Sequence, residues 1–299
     1  MKKYKMTKWR VFLSSLLMSG FLVLLIGMPS YAMEGITADN FNYVRYADTY
    51  PDLKAIYGYN KDALYNHYVN SGKAEGRVGC MSPTMGLTAD KFDAAQYAKD
   101  NPDVAAALGN NAAAMYNHYL TSGLSEGRIG HSTDALLDSK LALYRTLNQI
   151  TNASMTDEQK VKAVHDWICG YMSYGCVKYT GTNEIAPCTY SVVGTMKYQL
   201  GVCQAYAQTF KRCMDYLGID STYVSGTGTD PTDGSSGSHG WNQVLLNHTW
   251  YNIDVTWDDW DNFYGRVCDY SFYLNNSDSF NAYHVANKTI TDITGYEYY

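Results

Sequence analysis

One stretch of the chain places a cysteine at the first turn of a buried helix. From Cys203 onward, apolar residues recur at the spacing of a single helix face, and Gly218 follows as a stop signal. The members of this face are Cys203, Ala207, Phe210, Met214 and Leu217. Gly201, just before the helix, predicts a sharp turn of the backbone. Unpaired N–H groups and the helix dipole favour a thiolate at this position, although most free cysteines are only small buried hydrophobes.

A second constraint comes from two strand-like runs, residues 240–246 and 249–257. Both are rich in β-branched, apolar and aromatic residues. They are separated by Asn247 and His248, and Asn is favoured in the two-residue type I′ turns of hairpins. The sequence therefore predicts a β-hairpin.

The register of this hairpin decides whether His239 meets Asp254. If Leu246 pairs with Thr249, the side chains of His239 and Asp254 share a face as diagonal neighbours, within reach of each other. A turn one residue longer would move Asp254 to the opposite face. If the Cys203 helix packs on this face, a nucleophile, a base and an orienting acid meet there.

His165 is an alternative base. It lies in a helix predicted up to Met172, which a capping box formed by Thr156 and Gln159 opens. The pattern gives this histidine no strand partner. We therefore expect His165 to be a packed or surface residue.

Three sequence blocks resemble those of the transglutaminase-like superfamily, in its bacterial branch. They are residues 201–207 (GVCQAYA), 239–244 (HGWNQV) and 250–259 (WYNIDVTWDD). The blocks follow one another in the order found in the family, and the resemblance extends from about Asp134 to the C-terminus. Two positions depart from the pattern, since Gly240 replaces a frequent Ala and the turn residue His248 replaces a frequent Gly. Both changes affect the hairpin and neither touches the three candidate catalytic residues.

The resemblance implies an α+β fold with a papain-like core, in which the cysteine-bearing helix packs on an antiparallel sheet. By position it makes Cys203 the nucleophile, His239 the base and Asp254 the third member of a triad. An oxyanion hole is also expected, with the N–H of Cys203 as one donor. Relatives place an aromatic donor upstream, where Trp167 and Tyr174 lie, and either residue is equally suited to the core. We retain Tyr174 as the candidate.

The first 32 residues predict a secretory signal peptide. Basic residues precede an apolar run over residues 11–28, and Ser30 and Ala32 are small residues at the two positions that a signal peptidase reads. The alternative is an uncleaved membrane anchor. In either case we expect a secreted or cell-surface protein, and after cleavage no stable membrane span.

Two copies of a short module follow, at an offset of 51 residues from Thr37 to Thr88. The matching segments include Tyr65-Asn66-His67-Tyr68 with Tyr116-Asn117-His118-Tyr119, and Glu75-Gly76-Arg77 with Glu126-Gly127-Arg128. The sequence of each copy predicts a pair of helices. A Thr cap begins the first helix, Pro separates the two, and the second ends at Gly72 or Gly123. We place the copies at residues 33–82 and 83–131, and the catalytic domain at residues 132–299.

These modules resemble short repeats of bacterial exported proteins, and two roles stay open for them. Paired modules gain avidity and suit contact with the cell envelope, whereas a folded spacer needs no ligand. We expect His67 and His118 to be packed residues beside tyrosines. The Glu75–Arg77 and Glu126–Arg128 pairs predict salt bridges or turn contacts.

Composition and cysteine usage limit the classes of function that this chain can have. The formal net charge is −6 and no basic cluster follows the first ten residues, which excludes a typical nucleic-acid-binding protein. Seven cysteines in an exported chain indicate disulfides, with Cys203 as the candidate free thiol. Cys169, Cys176 and Cys188 are placed to staple the segment before the helix. No cysteine spacing is typical of zinc, so we expect neither metal nor cofactor.

Residues 257–261 are acidic, and we favour a structural role for them over calcium binding.

The sequence thus predicts an exported thiol enzyme that transfers acyl groups from amides of protein or peptide substrates. Hydrolysis is favoured over cross-linking, because the chain lacks the extra modules of large cross-linking enzymes. The alternative is a catalytically inactive cell-surface protein, in which the repeats and the transglutaminase-like fold serve recognition.

Overall fold

The computed structural model of the chain describes most of the sequence beyond residue 40. The described residues are 38, 41–72, 75, 77, 79, 84–152, 154–175, 177–179, 183–185, 189–259, 268–291 and 293. The predicted signal peptide lies outside them, as do Cys80, Cys176 and Cys188. Within the described part of the chain, no helix is both long and apolar enough to cross a membrane.

Each copy of the duplicated module forms three short helices and a closing π-helical turn. Copy one contains α1 (Tyr43–Thr49), α2 (Pro51–Tyr57), α3 (Lys61–His67) and the turn Tyr68–Gly72. Copy two contains α4 (Ala94–Asp100), α5 (Pro102–Leu108), α6 (Ala112–His118) and the turn Tyr119–Gly123. The prediction of a helix pair per copy is wrong, because the Asn60 and Asn111 side chains each accept a backbone N–H and cap a third helix.

Polar side-chain contacts within each copy stabilise its fold. In copy one, Arg77 donates to Glu75 at 2.7 Å and to both carboxylate oxygens of Asp52 at 3.0 and 2.7 Å. The predicted ion pair is therefore present, and the Tyr46 hydroxyl lies 3.2 Å from Nδ1 of His67. The equivalent contacts in copy two join Arg128 to Glu126 and Asp103, and Tyr97 to His118. The repeated histidines are packed, as expected.

Four further helices form the helical side of the C-terminal region, which follows copy two. They are α7 (Ala135–Ile150), α8 (Asp157–Tyr171), α9 (Val192–Tyr198) and α10 (Cys203–Leu217). The predicted capping box is present at the start of α8, where Thr156 and Gln159 bond reciprocally. Helix α10 begins at Cys203 and ends at Gly218 in the left-handed region, as its sequence pattern predicts.

A four-stranded antiparallel sheet lies against α10. Its strands are β5 (Ser221–Thr229), β6 (Ser236–Leu246), β7 (Thr249–Ile253) and β8 (His284–Ile290), in the order β7-β6-β5-β8. Two short pairings precede it, β1 (Ser173–Tyr174) with β4 (Leu200–Gly201), and β2 (Val177–Tyr179) with β3 (Asn183–Ile185). Two short helices complete the list, α11 (Val255–Asp258) and α12 (Asp278–Tyr283). The predicted α+β class, with the cysteine helix on an antiparallel sheet, is confirmed.

The predicted hairpin has the expected register at its turn. Leu246 pairs with Thr249, and Asn247 and His248 have φ angles of 50° and 64°. Positive φ at both turn residues is the mark of a type I′ turn. The predicted second strand is too long, however, because β7 ends at Ile253 and the next residues turn into α11.

One hydrophobic core joins copy two to the C-terminal region. It includes Tyr119 from copy two, Leu147 from α7, Ile168 from α8, Phe210 from α10 and Val244 from β6. Copy one has a separate core. Its Arg45 guanidinium donates to the backbone carbonyls of Tyr216 and Leu217 at 2.8 and 2.6 Å, at the C-terminus of α10. A cation at this end of the helix complements the helix dipole.

Gly201 matters for close packing just before Cys203. A Cβ at Gly201 would lie 2.5 Å from the Ala205 Cβ and 3.1 Å from the Thr189 carbonyl oxygen. Its φ is not positive, so glycine is required here for space and not for a left-handed backbone conformation. The chain crosses close to the first turn of α10 only because this position has no side chain.

We expect Gly201→Ala to lower the free energy of unfolding by about 1–3 kcal/mol, because the added methyl overpacks the start of α10. Chemical denaturation of the purified protein measures this change. Gly237→Ala is the matched control, since a Cβ there meets no atom within 4 Å. Equal stabilities of the two variants would contradict this account of Gly201.

Candidate active site

A buried ion pair joins the hairpin's two halves. Nε2 of His239, on β6, lies 2.6 Å from Oδ2 of Asp254, which directly follows β7. His239 is 8% exposed and Asp254 is fully buried. A charge-assisted hydrogen bond of this length in a dry setting is strong and directional.

Asp254 is held by the backbone as well as by His239. It is the N-cap of α11, and its Oδ1 accepts hydrogen bonds from the N–H groups of Thr256 and Trp257 at 3.0 and 3.2 Å. The helix thus occupies one carboxylate oxygen and the imidazole the other. The residue that the sequence placed within a strand reaches His239 by capping the helix that ends the strand.

Cys203 completes the group. It is the first residue of α10, its side chain is half-buried, and it is not in a disulfide. His239 makes a side-chain hydrogen bond to Cys203. Because Nε2 of His239 is bound to Asp254, Nδ1 is the ring nitrogen that meets the thiol. The structure therefore brings the three predicted triad residues into one hydrogen-bonded chain.

The electrostatics favour the charged form of the imidazole. Burial alone would lower the pKa of His239, but the charge and the hydrogen bond of Asp254, followed by Cys203, raise it to about 10. Burial would likewise raise the pKa of Asp254, yet the neighbouring His239 and then His284 hold it well below its usual range. Asp254 stays ionised and stabilises an imidazolium at His239.

Tyr174, the proposed oxyanion donor, lies beside the thiol. It ends β1, whose pairing with β4 places it opposite Gly201, and its hydroxyl oxygen accepts a hydrogen bond from the backbone N–H of Cys203. Burial of the hydroxyl, followed by electrostatic interaction with Cys203 and Asp254, raises the pKa of Tyr174, so the hydroxyl keeps its proton. The ring edge is accessible, at 45% exposure. Trp167, by contrast, stacks on Tyr171 within α8 at 5.0 Å.

His284 is a member of the site that the sequence analysis did not assign. Its Nε2 lies 3.0 Å from Oδ2 of Asp254, and its Nδ1 lies 3.0 Å from the carbonyl oxygen of Phe280. Each ring nitrogen of His284 therefore faces an oxygen acceptor, and these contacts tie β8 to Asp254. The sequence offered no signal for this role. His284 lies on β8, far along the chain from Asp254, and in the sequence it is one of many aromatic residues in the C-terminal tail.

Aromatic rings fix the orientation of His239. The Trp257 ring stacks on its imidazole, with centroids 4.7 Å apart and planes at 20°. Gly228 leaves room for this pair of rings, since a Cβ there would lie 3.0 Å from both the His239 Cβ and the Trp257 ring. The imidazole therefore has little freedom to rotate away from Asp254.

The acidic segment after the hairpin is engaged in protein contacts. Oδ2 of Asp258 lies 3.0 Å from Nε2 of His165, and its Oδ1 accepts from the N–H of Phe272 at 2.8 Å. Asp259 accepts a short hydrogen bond from the Tyr206 hydroxyl. These contacts fit the structural role favoured from the sequence over a calcium site. Trp260 and Asp261 lie outside the described residues.

The donor atoms of His239, Asp254 and His284 lie within 4.8 Å of one another, which raises the question of a metal ion. Two atoms that bind one ion at about 2.0–2.2 Å each are separated by about 3 Å or more. The 2.6 Å between His239 and Asp254 is shorter and identifies a direct hydrogen bond. This group fits a hydrogen-bonded triad better than a metal centre.

Replacing Asp254 by Asn removes the negative charge and keeps the shape of the side chain. We expect the pKa of His239 to fall from about 10 to its ordinary value of 6.5 or lower, because burial then acts without the opposing carboxylate. A pH titration of the histidine side-chain resonances in ¹⁵N-labelled protein measures this. Asp278→Asn, on exposed α12, is the control and leaves the pKa of His239 unchanged.

The same pair makes stability depend on pH. Because the folded pKa of His239 is raised, its contribution is complete below about pH 6.5 and is lost as the pH rises through about 10. Denaturation midpoints of the wild type should therefore fall over this interval more than those of Asp254→Asn. A His239 pKa that does not move in Asp254→Asn would contradict the assigned cause.

Part of the chain is similar to known proteins. Residues 144–255 match the family model described as Transglutaminase-like superfamily. Kyphoscoliosis peptidase from Homo sapiens is 26% identical over 125 residues, and that from Mus musculus is 26% identical over 124 residues. Each match covers 40% of this chain and only 18% of the relative, so the chain spans less than a fifth of these curated relatives.

Two solved structures are also similar. One is described as a candidate cysteine protease from Cytophaga hutchinsonii, with a TM-score of 0.35, 18% identity, and coverage of 54% of this chain and 45% of that one. The other is described as a TGase, with a TM-score of 0.34, 15% identity, and coverage of 47% and 36%. Cys203, His239 and Asp254 all lie in the segment that matches the transglutaminase-like family model.

Proposed function

We propose that this chain is an exported thiol enzyme that uses Cys203, His239 and Asp254 for acyl transfer on amide bonds of proteins or peptides. The observation that carries the proposal is the position of His239, which is hydrogen-bonded to the thiol on one side and to a buried carboxylate on the other. A nucleophile, a base and a group that orients the base are the parts that such chemistry needs.

In the first half of the reaction, the sulfur of Cys203 attacks the carbonyl carbon of the amide. His239 already holds the proton given up by the thiol at Nδ1, as its raised pKa favours, and delivers it to the nitrogen of the leaving group. The carbon–nitrogen bond breaks, an amine or ammonia departs, and a thioester remains on Cys203. Asp254 keeps the imidazole in place and stabilises the positive charge that it carries during this step.

The negative charge that develops on the carbonyl oxygen needs hydrogen-bond donors. The backbone N–H of Cys203 and the hydroxyl of Tyr174 are already adjacent, because they bond to each other. A substrate oxygen that displaces the Tyr174 oxygen from this N–H can accept from both groups. Tyr174 is suited to the role because its hydroxyl keeps its proton.

In the second half, water or another amine attacks the thioester, with His239 as the base. We favour water. The Cys203 side chain is only half-buried and Tyr174 is 45% exposed, so the thioester lies where solvent reaches it. The curated relatives in man and mouse are named peptidases, which supports a peptide bond as the target.

We also propose that the N-terminal segment directs export and that the duplicated module contacts the cell envelope or acts as a spacer. The contacts suggest different tasks for the two copies. Copy two shares its core with the catalytic region, which suits a supporting role. Copy one has its own core and touches α10 through Arg45, so more of its surface is left for a partner.

Alkylation by iodoacetamide tests the pairing of thiol and imidazole. In a Cys268→Ser background, we expect His239→Ala to slow labelling of Cys203 at neutral pH by about a hundredfold, because the thiol loses its base. The background removes a second reactive thiol, since hydrogen bonding from Cys169 and then His165 lowers the pKa of Cys268 to about 6. Peptide mapping by mass spectrometry measures the rate at each cysteine.

His248→Ala is the matched control for this experiment, because His248 lies in the exposed hairpin turn, away from the thiol. Labelling of Cys203 in this variant should equal that of the parent. If Cys203 is inert in the parent, or if His239→Ala labels as fast as the parent, the alternative of an inactive surface-binding protein is favoured.

Removing the Tyr174 hydroxyl tests the oxyanion hole. We expect Tyr174→Phe to lower kcat by about a hundredfold with little change in KM, because the lost hydrogen bond strengthens only in the transition state. Release of amine from a peptide substrate provides the rate. Tyr190→Phe is the control, since Tyr190 is an exposed neighbour of Tyr174. A raised KM with unchanged kcat would show that Tyr174 only binds substrate.

A further inference from the structure

A second group of nucleophilic and ligand-type side chains lies on α8, away from the candidate active site. His165 and Cys169 are one helical turn apart and both are buried. Cys268 approaches them from the segment that precedes α12 and is half-buried. The nitrogen of His165 and the sulfurs of Cys169 and Cys268 all lie within 4.8 Å of one another.

The imidazole of His165 is oriented so that Nδ1 faces the sulfur of Cys268. Its Nε2 lies 3.0 Å from Oδ2 of the buried Asp258, which fixes the ring. Nδ1 lies 3.3 Å from the sulfur of Cys268 and 3.2 Å from Oδ1 of Asp166. A histidine held by a carboxylate on its far nitrogen is the common arrangement of a metal ligand.

Hydrogen bonds link these side chains, but Nδ1 of His165 faces more acceptors than it has hydrogens. Nδ1 of His165 carries at most one hydrogen, whereas a sulfur and a carboxylate oxygen both lie within hydrogen-bond range of it. A cation at the centre would satisfy the nitrogen, the sulfurs and the oxygen together. Two sulfurs and an imidazole select a borderline-soft ion such as zinc over calcium or magnesium.

The distances agree with a tetrahedral ion. Zinc at about 2.3 Å from sulfur and about 2.0 Å from nitrogen or oxygen places sulfur and nitrogen about 3.5 Å apart, nitrogen and oxygen about 3.3 Å, and sulfur and oxygen about 3.5 Å. The corresponding distances are 3.3 Å from Cys268 to His165, 3.2 Å from His165 to Asp166 and 4.0 Å from Cys268 to Asp166. Atomic shifts of about 0.5 Å or less would bring these three distances to the values expected around a zinc ion.

We propose that His165, Cys169 and Cys268 bind one zinc ion, with Asp166 as the fourth ligand. The Tyr270 hydroxyl donates to Oδ1 of Asp166 at 2.9 Å and orients that carboxylate. The ring of Tyr270 also stacks on His165, at 5.3 Å between centroids, and shields the site from solvent. Four protein ligands and a covered histidine make this a structural site.

The site would support the candidate active site from a distance. Cys268 begins a segment in which the Phe272 N–H donates to Asp258 and the Phe272 carbonyl accepts from the N–H of Asp254 at 3.1 Å. An ion that ties Cys268 to α8 therefore anchors the backbone against which the triad carboxylate is placed.

Zinc content of the full chain tests the proposal. The protein is prepared under reductant, loaded with Zn²⁺, dialysed and analysed for metal. We expect one equivalent per chain in the wild type, and loss of this equivalent in Cys268→Ser and in the Cys169→Ser, Cys268→Ser double variant. With Co²⁺ in place of zinc, a thiolate-to-cobalt charge-transfer band should appear in the wild type and vanish in Cys268→Ser.

Cys203→Ser is the matched control, because the thiol and imidazole of the candidate active site can also capture zinc. It should retain both the equivalent of zinc and the cobalt band. Circular dichroism of each variant without metal shows whether it is folded. Serine should be tolerated better at the half-buried Cys268 than at the buried Cys169. Zinc that is absent from the reduced wild type, or that persists in both Cys268 variants, overturns the proposal. A Cys169–Cys268 disulfide in the peptide map of the protein as isolated also overturns it.

Discussion

The buried carboxylate of Asp254 is the group on which the candidate site depends. It accepts four hydrogen bonds, two from the backbone at the start of α11 and one each from His239 and His284. A buried charge is tolerated only when it is paired and fully hydrogen-bonded, and removing one partner of such a pair typically costs about 3–5 kcal/mol. The carboxylate therefore links the end of the hairpin, the short helix after it and the last strand into one arrangement.

The sheet and the helix then bring the sulfur to this arrangement. Strand β6 carries His239 near the middle of the sheet, and α10 packs across that strand with Cys203 at its first turn. Gly201 allows the close approach of the backbone that precedes Cys203. Since β1 pairs with the residues just before α10, the same geometry places the Tyr174 hydroxyl next to the thiol. The predicted nucleophile, base and oxyanion donor thus come from three segments fixed by separate packing contacts.

Sequence patterns predicted those parts of the structure that depend on interactions between residues close together in the chain. The spacing of apolar residues gave α10, and the two-residue turn after Leu246 gave the hairpin register, because a type I′ turn leaves one pairing only. The end of β7 was missed because the Asp254 side chain caps a helix there, and strand periodicity does not report a cap. His284 and the cluster around His165 were missed because their partners come from distant segments. The catalytic roles of Cys203, His239, Asp254 and Tyr174 remain predictions.

The most direct test of the account is detection of the acyl-enzyme. Wild-type protein and Cys203→Ala are incubated with a library of glutamine-containing peptides, with and without an amine probe, and quenched in acid for intact-mass and peptide-level mass spectrometry. The account predicts a thioester adduct on Cys203 in the wild type alone, with release of ammonia or a peptide amine and mostly hydrolysed product. Product formation that persists in Cys203→Ala, or neither adduct nor amine release with any peptide, would contradict it.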